Sequence, residues 1–180
     1  MRVTIRKFEK RDIPAKVEWV NNPANNRYLH YDLPLEVGKT ERWFDNNKDR
    51  TDRLDCVIEA DGTPVGLIGL LSIDRKNSKA EYYVQIGNTD YKGKGVAKEA
   101  SLLILREGFT TLGLNRIYLY TEVENISAQK LYERVGFVME GRLKKDVFSH
   151  GQYADRFVYG ILREDWEKAD GRDLPGGSQN

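Results

Sequence analysis

The chain is poor in the residues that build covalent or metal-bound frameworks. A single cysteine, Cys56, in 180 residues excludes an internal disulfide and a cysteine-cluster metal site. Cys56 lies inside LDCVIEA and is expected to be a small buried apolar residue. With two histidines, His30 and His150, no zinc site is expected. No apolar run approaches the roughly 20 residues of a membrane span. The opening stretch, MRVTIRKFEKRD, lacks the apolar centre of a signal peptide, so a cytoplasmic protein is expected. Charge of one sign is missing too. The formal net charge is +1, which gives no electrostatic case for nucleic acid or a membrane surface as partner. Neither a repeat nor a second domain is visible. One domain is expected over 1–168, followed by a disordered Gly/Pro/polar tail over 169–180.

What is present is a regular succession of short periodic segments. RVTIRKF alternates and predicts a strand. Asp12-Ile13-Pro14 predicts a helix start, with Asp12 as cap and proline just inside. The helix stops near Asn22-Pro23, and NNRYLHYDLP reads as a loop rich in aromatic and polar groups. LEVGKTERWFDNNKD predicts a second helix. RLDCVIEA, a turn at Asp61-Gly62 and PVGLIGLLSID predict a hairpin. KAEYYVQIG is the next strand. A long helix follows from Val96 to Leu112, closed by Gly113, and then the strand NRIYLYTEV. ISAQKLYERVG predicts a short helix ending at Gly136. FVMEGRLKKDVF and QYADRFVYGIL form a closing hairpin with a turn at His150-Gly151, and REDWEK adds a last helical turn. One strand–helix–strand unit, 80–123, interrupts these hairpins, and its crossover helix makes the two strands parallel. The fold class expected is α/β: a mixed, mostly antiparallel sheet with helices on its faces.

Chemistry concentrates at YKGKGVAKEA, Tyr91–Ala100. Gly93 and Gly95 free the backbone where a strand feeds a helix, so unpaired N–H groups can gather at the positive end of the helix dipole, a place suited to phosphate. The sequence has no G-x-x-x-x-G-K-[ST] P-loop. It lacks the third small residue of a Rossmann fingerprint as well, since Lys98 stands there. A plain strand-to-helix turn, with no ligand, is the alternative on the loop alone.

About thirty residues after Lys92-Gly93-Lys94-Gly95-Val96-Ala97 stands ENISAQKLYERVGFVMEGRLKKDVFSHGQYADRFVYGIL. With these two segments in this order, the chain resembles the GNAT N-acetyltransferase superfamily over residues 2–165, particularly its RimJ/RimL-like and spermidine-acetyltransferase-like members. The first segment is similar to the family's Q/R-x-x-G-x-G/A acyl-CoA signature, with Lys92 in place of the usual Gln or Arg. The second is similar to N-x-x-[SA]-x-x-x-Y-x-x-x-G-F followed by the closing hairpin. The resemblance implies a central sheet of about seven strands with a splayed parallel pair, acetyl-CoA as cofactor, and acetyl transfer to a primary amine.

On that resemblance the pyrophosphate of CoA would sit on the N–H groups of Gly93, Lys94, Gly95, Val96 and Ala97, with Lys92, Lys94 and Lys98 adding charge. Backbone groups near Val84, Gln85 and Ile86 would pair with the pantetheine arm, and one would polarise the thioester carbonyl. A bulge is expected there, because YYVQIGN does not alternate cleanly. Tyr132 occupies the position of the family's general acid, and Asn125 would hydrogen-bond the CoA arm. Ser127 is expected to cap the helix that follows and to touch CoA. An amine must attack neutral, although its ordinary pKa is ~10.4. Glu81 is therefore the candidate base, with Glu59 and Glu122 as rivals. Asn22, Tyr28, His30 and Tyr31 would line the acceptor pocket. The acceptor classes left open are polyamines, amino-sugar nucleotides and protein N-termini. A non-catalytic acyl-CoA-binding module is the rival to an enzyme. Strand edges and tryptophans suggest a homodimer.

Overall fold

The computed structural model describes residues 1–170. Seven strands form one sheet in the order β1-β2-β3-β4-β5-β7-β6. They are β1 (Val3–Lys7), β2 (Leu54–Ala60), β3 (Thr63–Asp74), β4 (Lys79–Ile86), β5 (Arg116–Glu122), β6 (Val138–Ser149) and β7 (Gln152–Leu162). The helices are α1 (Ile13–Asn21), α2 (Pro23–Asn26), α3 (Val37–Asn47), α4 (Val96–Arg106), α5 (Ile126–Val135) and α6 (Arg163–Asp170). The expected mixed α/β sheet is therefore present. Of the tail expected over 169–180, the first two residues belong to α6, and the rest lies outside the described residues.

Every neighbouring pair is antiparallel except β4 and β5. The β2–β3 hairpin turns through Asp61 (φ 49) and Gly62 (φ 81), and the β6–β7 hairpin through His150 (φ 49) and Gly151 (φ 79). Consecutive positive φ angles match the twist of the paired strands. The two faces of the sheet carry two apolar clusters. Tyr82, Ile117 and Leu119 pack with Val96, Ile104, Tyr132 and Phe137 under α4 and α5. Phe8, Ile13, Trp19, Val57 and Leu67 pack under α1 and α3.

Several local expectations are corrected. Asp12 stands at the N-cap position of α1 with Pro14 just inside, as expected, but its side chain makes no cap hydrogen bond. It ends a short 3-10 turn, and its carboxylate accepts from the Glu9 N–H at 2.8 Å and from both Nη atoms of Arg6 at 2.8 and 2.7 Å. The long helix does not run as an α-helix to Leu112. After Arg106 it widens into a π turn, Glu107–Thr111, in which Leu112 N–H donates to Glu107 O, and Gly113 (φ 66) follows. The wider turn carries the fully buried Phe109 against Trp166, ring centroids 5.3 Å apart. No bulge interrupts β4 at Tyr82–Ile86, where pairing with β3 is continuous. The irregularity lies earlier, between Leu71 and Asp74, where Ser72 has a φ of 49°. NNRYLHYDLP is not all loop, because its first two residues, Asn25 and Asn26, belong to α2. Of the tryptophans suggested for a dimer, Trp19 is buried, whereas Trp43, stacked on Lys16 and Arg53, and Trp166, against Phe109, are half-buried.

Candidate active site

Pairing between the parallel strands covers three rungs and stops: Lys79 with Arg116, Ala80 with Ile117, Glu81 with Tyr118. From Tyr82 to Ile86, β4 keeps β3 as a neighbour and has lost β5. Main-chain groups of that stretch that point away from β3 therefore face a fork. Val84, Gln85 and Ile86 lie on this free edge. Two side chains at the fork carry buried polar atoms without hydrogen-bond partners, Gln85 Nε2 and Thr121 Oγ1. Such atoms are costly unless a ligand or water completes them.

Above the fork the chain passes through Lys92-Gly93-Lys94-Gly95 into α4. Gly93 and Gly95 have φ of +73° and +82°, and a Cβ placed on either meets nothing within 4 Å. The loop is exposed from Lys92 to Gly95, and Val96 is the first buried residue. Glu99 N–H donates back to Gly95 O at 3.1 Å, so the N–H groups of Val96, Ala97 and Lys98 precede the helix's own ladder. With the dipole this makes an open anion cradle. Lys92 does not bear on the cradle in this structure: its Nζ donates to Ala24 O at 2.9 Å and ties α2 to the loop. Lys94 Nζ stands 5.7 Å from the Tyr91 ring centroid.

Alternation assigns faces. Tyr82 points to the α4–α5 side, where its ring is 6.1 Å from that of Tyr132. Tyr132 lies also 6.0 Å from Tyr159 and 6.1 Å from Phe137, and burial pushes its phenol up to about 12. Glu81 points to the opposite side. Burial raises its pKa, and the Arg156 guanidinium opposes that rise. The candidate acid and base thus stand on opposite faces of one sheet, and the fork opens between them. Glu59 is removed from contention by position. It sits on β2, beyond β3, and is held by Arg6 at 2.7 Å.

The cap of α5 is Asn125, not Ser127. Asn125 Oδ1 accepts from Ala128 N–H at 3.3 Å, and Ser127 is exposed in the first turn. The acceptor-loop residues divide. Tyr28 Oη donates to Glu124 O at 3.2 Å, and His30 Nε2 lies 3.3 Å from Glu122 Oε1, so both converge on the end of β5. Tyr31 goes elsewhere, its ring 5.8 Å from Lys16 Nζ under α1. Asn22 caps α2 through Ala24 N–H at 2.9 Å. A residue the motif reading did not single out is Asn25. Its Nδ2 bonds Gly87 O at 2.8 Å and Trp19 O at 2.9 Å, fixing α2 to the end of β4. A Cβ at Gly87 would fall 2.1 Å from Trp19 Cγ, so only glycine admits that contact. Arg156 was missed as well. The sole signal for it is its register opposite Glu122, which appears only once β7 is paired.

The family model for the acetyltransferase (GNAT) domain matches residues 2–138. This chain belongs to the GNAT acetyltransferases. The spermidine N(1)-acetyltransferase of Escherichia coli K12 is 33% identical over 153 residues, 84% of this chain and 81% of that protein. A putative ribosomal N-acetyltransferase of Bacillus subtilis, YdaF, is 32% identical over 107 residues, 59% of this chain and 58% of that one. A crystal structure of spermidine N-acetyltransferase from Vibrio cholerae in complex with CoA and spermine superposes with a TM-score of 0.86 at 30% identity, covering 92% of this chain and 98% of that one. The protein is an acetyl-CoA-dependent N-acetyltransferase. No helix among the described residues is long and apolar enough to cross a membrane.

Proposed function

We propose that this acetyltransferase acts on a primary amine of a polyamine-type acceptor, with Glu81 as base, Tyr132 as acid and the loop Gly93–Ala97 as the diphosphate grip. The observation that carries the reading is the fork itself. Glu81 forms its last rung, and the next residue of β4, Tyr82, touches Tyr132 on the other face. Bound acetyl-CoA would supply an acetyl group activated as a thioester. The fit rests on the exposed cradle, on free β4 main-chain groups near Val84–Ile86, and on the orphaned Thr121 Oγ1 on the Tyr132 side.

The residues then do three things. N–H groups at the start of α4 bind the diphosphate with their dipoles already aligned, so nothing reorganises on binding. Glu81 takes a proton from the amine nitrogen, a transfer that a raised carboxyl pKa favours near neutral pH. Tyr132 keeps its hydroxyl proton near neutral pH and offers it to the departing sulfur while taking up the second proton that the nitrogen loses as the amide forms, so that no phenolate, a stronger base than a thiolate whose conjugate acid has a pKa of about 8.5, is left behind. Amine and thiol sides are thereby separated by the sheet, which suits direct transfer through the gap without a covalent enzyme intermediate.

The polyamine class is supported by the named activity of the relatives and by the half-buried carboxylate of Glu81 on the acceptor side. We place the enzyme in the cytoplasm, in keeping with its single, buried thiol. A thiol-release panel tests the function: spermidine, spermine, an amino-sugar nucleotide and a peptide with a free N-terminus. Turnover on the polyamines at least about tenfold above the others is expected. Preference for the peptide or the sugar nucleotide would overturn the assignment.

A further inference from the structure

We infer that Glu122 is a specificity-determining residue that docks the second, non-reacting cationic nitrogen of the acceptor. This rests on the polyamine reading above and adds to it the length and charge pattern selected. Glu122 ends β5. Its side chain is 9% exposed, and Oε1 is buried with no hydrogen-bond partner. It lines a 470 Å³ cavity between the Arg27–Tyr28 segment and the tip of the β6–β7 hairpin. A buried carboxylate oxygen without a donor carries a large desolvation cost unless a cation arrives.

The charges around it explain why Glu122 and not another acid takes that role. Two more carboxylates line the cavity, and each has its own arginine. Asp155 is held by Arg142 at 2.7 Å, and Glu124 lies 3.8 Å from Arg27. Arg156 is the cross-strand neighbour of Glu122, but its guanidinium stacks 4.6 Å from the Tyr120 ring centroid and pairs with Asp146 at 2.6 Å. Among the described residues the one ion-pairing group within 4 Å of the Glu122 carboxylate is the imidazole of His30, at 3.3 Å and without hydrogen-bond alignment. The cavity wall is built in place: His150 Nε2 lies 2.7 Å from Arg27 O, and Tyr28 Oη bonds Glu124 O at 3.2 Å.

Register sets the spacing. Glu81 pairs with Tyr118, and Tyr118, Tyr120 and Glu122 share its face. Four residues of strand separate the rungs by about 13 Å. A chain of about nine single bonds, each advancing about 1.2 Å, spans about 11 Å, and flexible carboxylate side chains close the difference. An acceptor with two nitrogens at that separation places one at Glu81 and one at Glu122.

The test compares 1,8-diaminooctane and spermidine with n-octylamine, in which a methyl replaces the second ammonium. Glu122→Gln is expected to raise KM for both polyamine-type substrates about 10- to 100-fold, with kcat and the octylamine KM within about threefold of wild type. Glu122→Asp, which keeps the charge, is expected to retain most of the diamine preference. An equal KM rise for diamine and monoamine, a loss confined to kcat, or no change would each overturn the assignment. Calorimetry of spermidine with the CoA-saturated protein separates the two levels of inference. Binding that Glu122→Gln abolishes, without acetylation by wild type, sinks the proposed function and leaves the Glu122 site standing. Absence of spermidine binding to wild type sinks the site.

Discussion

The Tyr82 hydroxyl on β4 lies 2.6 Å from Ser101 Oγ on α4. The one Ser101 hydroxyl proton goes to Ala97 O at 2.5 Å, so Tyr82 is the donor to Ser101. Tyr82 is the first residue of β4 past the last rung with β5, and Ala97 stands in the first turn of α4. This chain of two bonds fixes the anion cradle relative to the fork. Both residues are buried. Ser101→Ala leaves a buried phenol without an acceptor and is expected to cost about 1–3 kcal/mol in urea denaturation. Tyr82→Phe leaves the Ser101–Ala97 bond intact and is expected to cost about 0.5–1.5 kcal/mol. The double variant should cost no more than Ser101→Ala alone, because the orphan is gone. A Ser101→Ala cost below that of Tyr82→Phe would contradict the donor assignment.

Tyr132→Phe preserves the ring contacts with Tyr82, Phe137 and Tyr159 and removes only the hydroxyl. Turnover is expected to fall about 10²-fold or more, with acetyl-CoA affinity and melting temperature nearly unchanged. Because burial pushes the phenol up to about 12, no alkaline loss of activity below pH 10 should trace to it. Unchanged kcat in the phenylalanine variant removes Tyr132 from the chemistry.

A base whose pKa is raised by burial loads late. The rate is therefore expected to climb with pH through a limb above the ordinary carboxylate range of about 4.3, and Glu81→Gln should erase that limb. Arg156 lowers the Glu81 pKa, so Arg156→Gln should move the limb to higher pH. A shift to lower pH, or a limb that survives in Glu81→Gln, identifies a different base.

Lys16 is buried at 8% exposure, its Nζ 4.0 Å from the Trp43 ring centroid, and burial pushes its ammonium down to about 8. The folded chain thus holds this proton less tightly than the unfolded one. Between pH 8 and about 10.4 the unfolded state carries protons that the folded state has shed, so Lys16 makes stability rise with pH across that window. Below pH 8 it is a charge buried at a net cost of at most about 3 kcal/mol, part of it offset by the aromatic faces. Lys16→Met is expected to raise the denaturation midpoint at pH 7 and flatten the rise above pH 8. A lower midpoint would mean that the cation–ring contacts outweigh desolvation.

Much of the frame is legible in the chain because local rules decide it. Asp61-Gly62 and His150-Gly151 announce their hairpins through backbone freedom, and a strand–helix–strand unit of this length must be parallel. Gly93 and Gly95 are readable for the same reason, since both adopt positive φ in open space. The misreadings share a different cause: each depended on a neighbour remote in sequence or on one backbone angle. Ser127 and Asn125 both suit a cap, and only the chain direction at Asn125 (φ −81, ψ 67) selects it. YYVQIGN fails to alternate because both faces of β4 are covered, one by α4 and one by the Trp19 side, and no bulge is needed. That Lys92 donates to Ala24 O, 68 residues away, is likewise visible only in the fold. The orphaned Glu122 could be named as an acid but not as an unpaired one, because Arg142, Arg156 and Arg27 find their partners only in the folded sheet.

Acetyl-CoA titrated against S-acetylpantetheine by calorimetry, on wild type and Gly95→Val, measures what the α4 cradle contributes. The valine forces a branched side chain to a φ of +82° and places it at the mouth of the cradle. Wild type is expected to bind acetyl-CoA at least about 100-fold more tightly than the pantetheine fragment, as two or more charge-assisted N–H bonds to the diphosphate require, and Gly95→Val should close most of that gap. Equal affinity of wild type for the two ligands, or a gap untouched by the valine, would contradict a diphosphate held by the main chain at Gly93–Ala97.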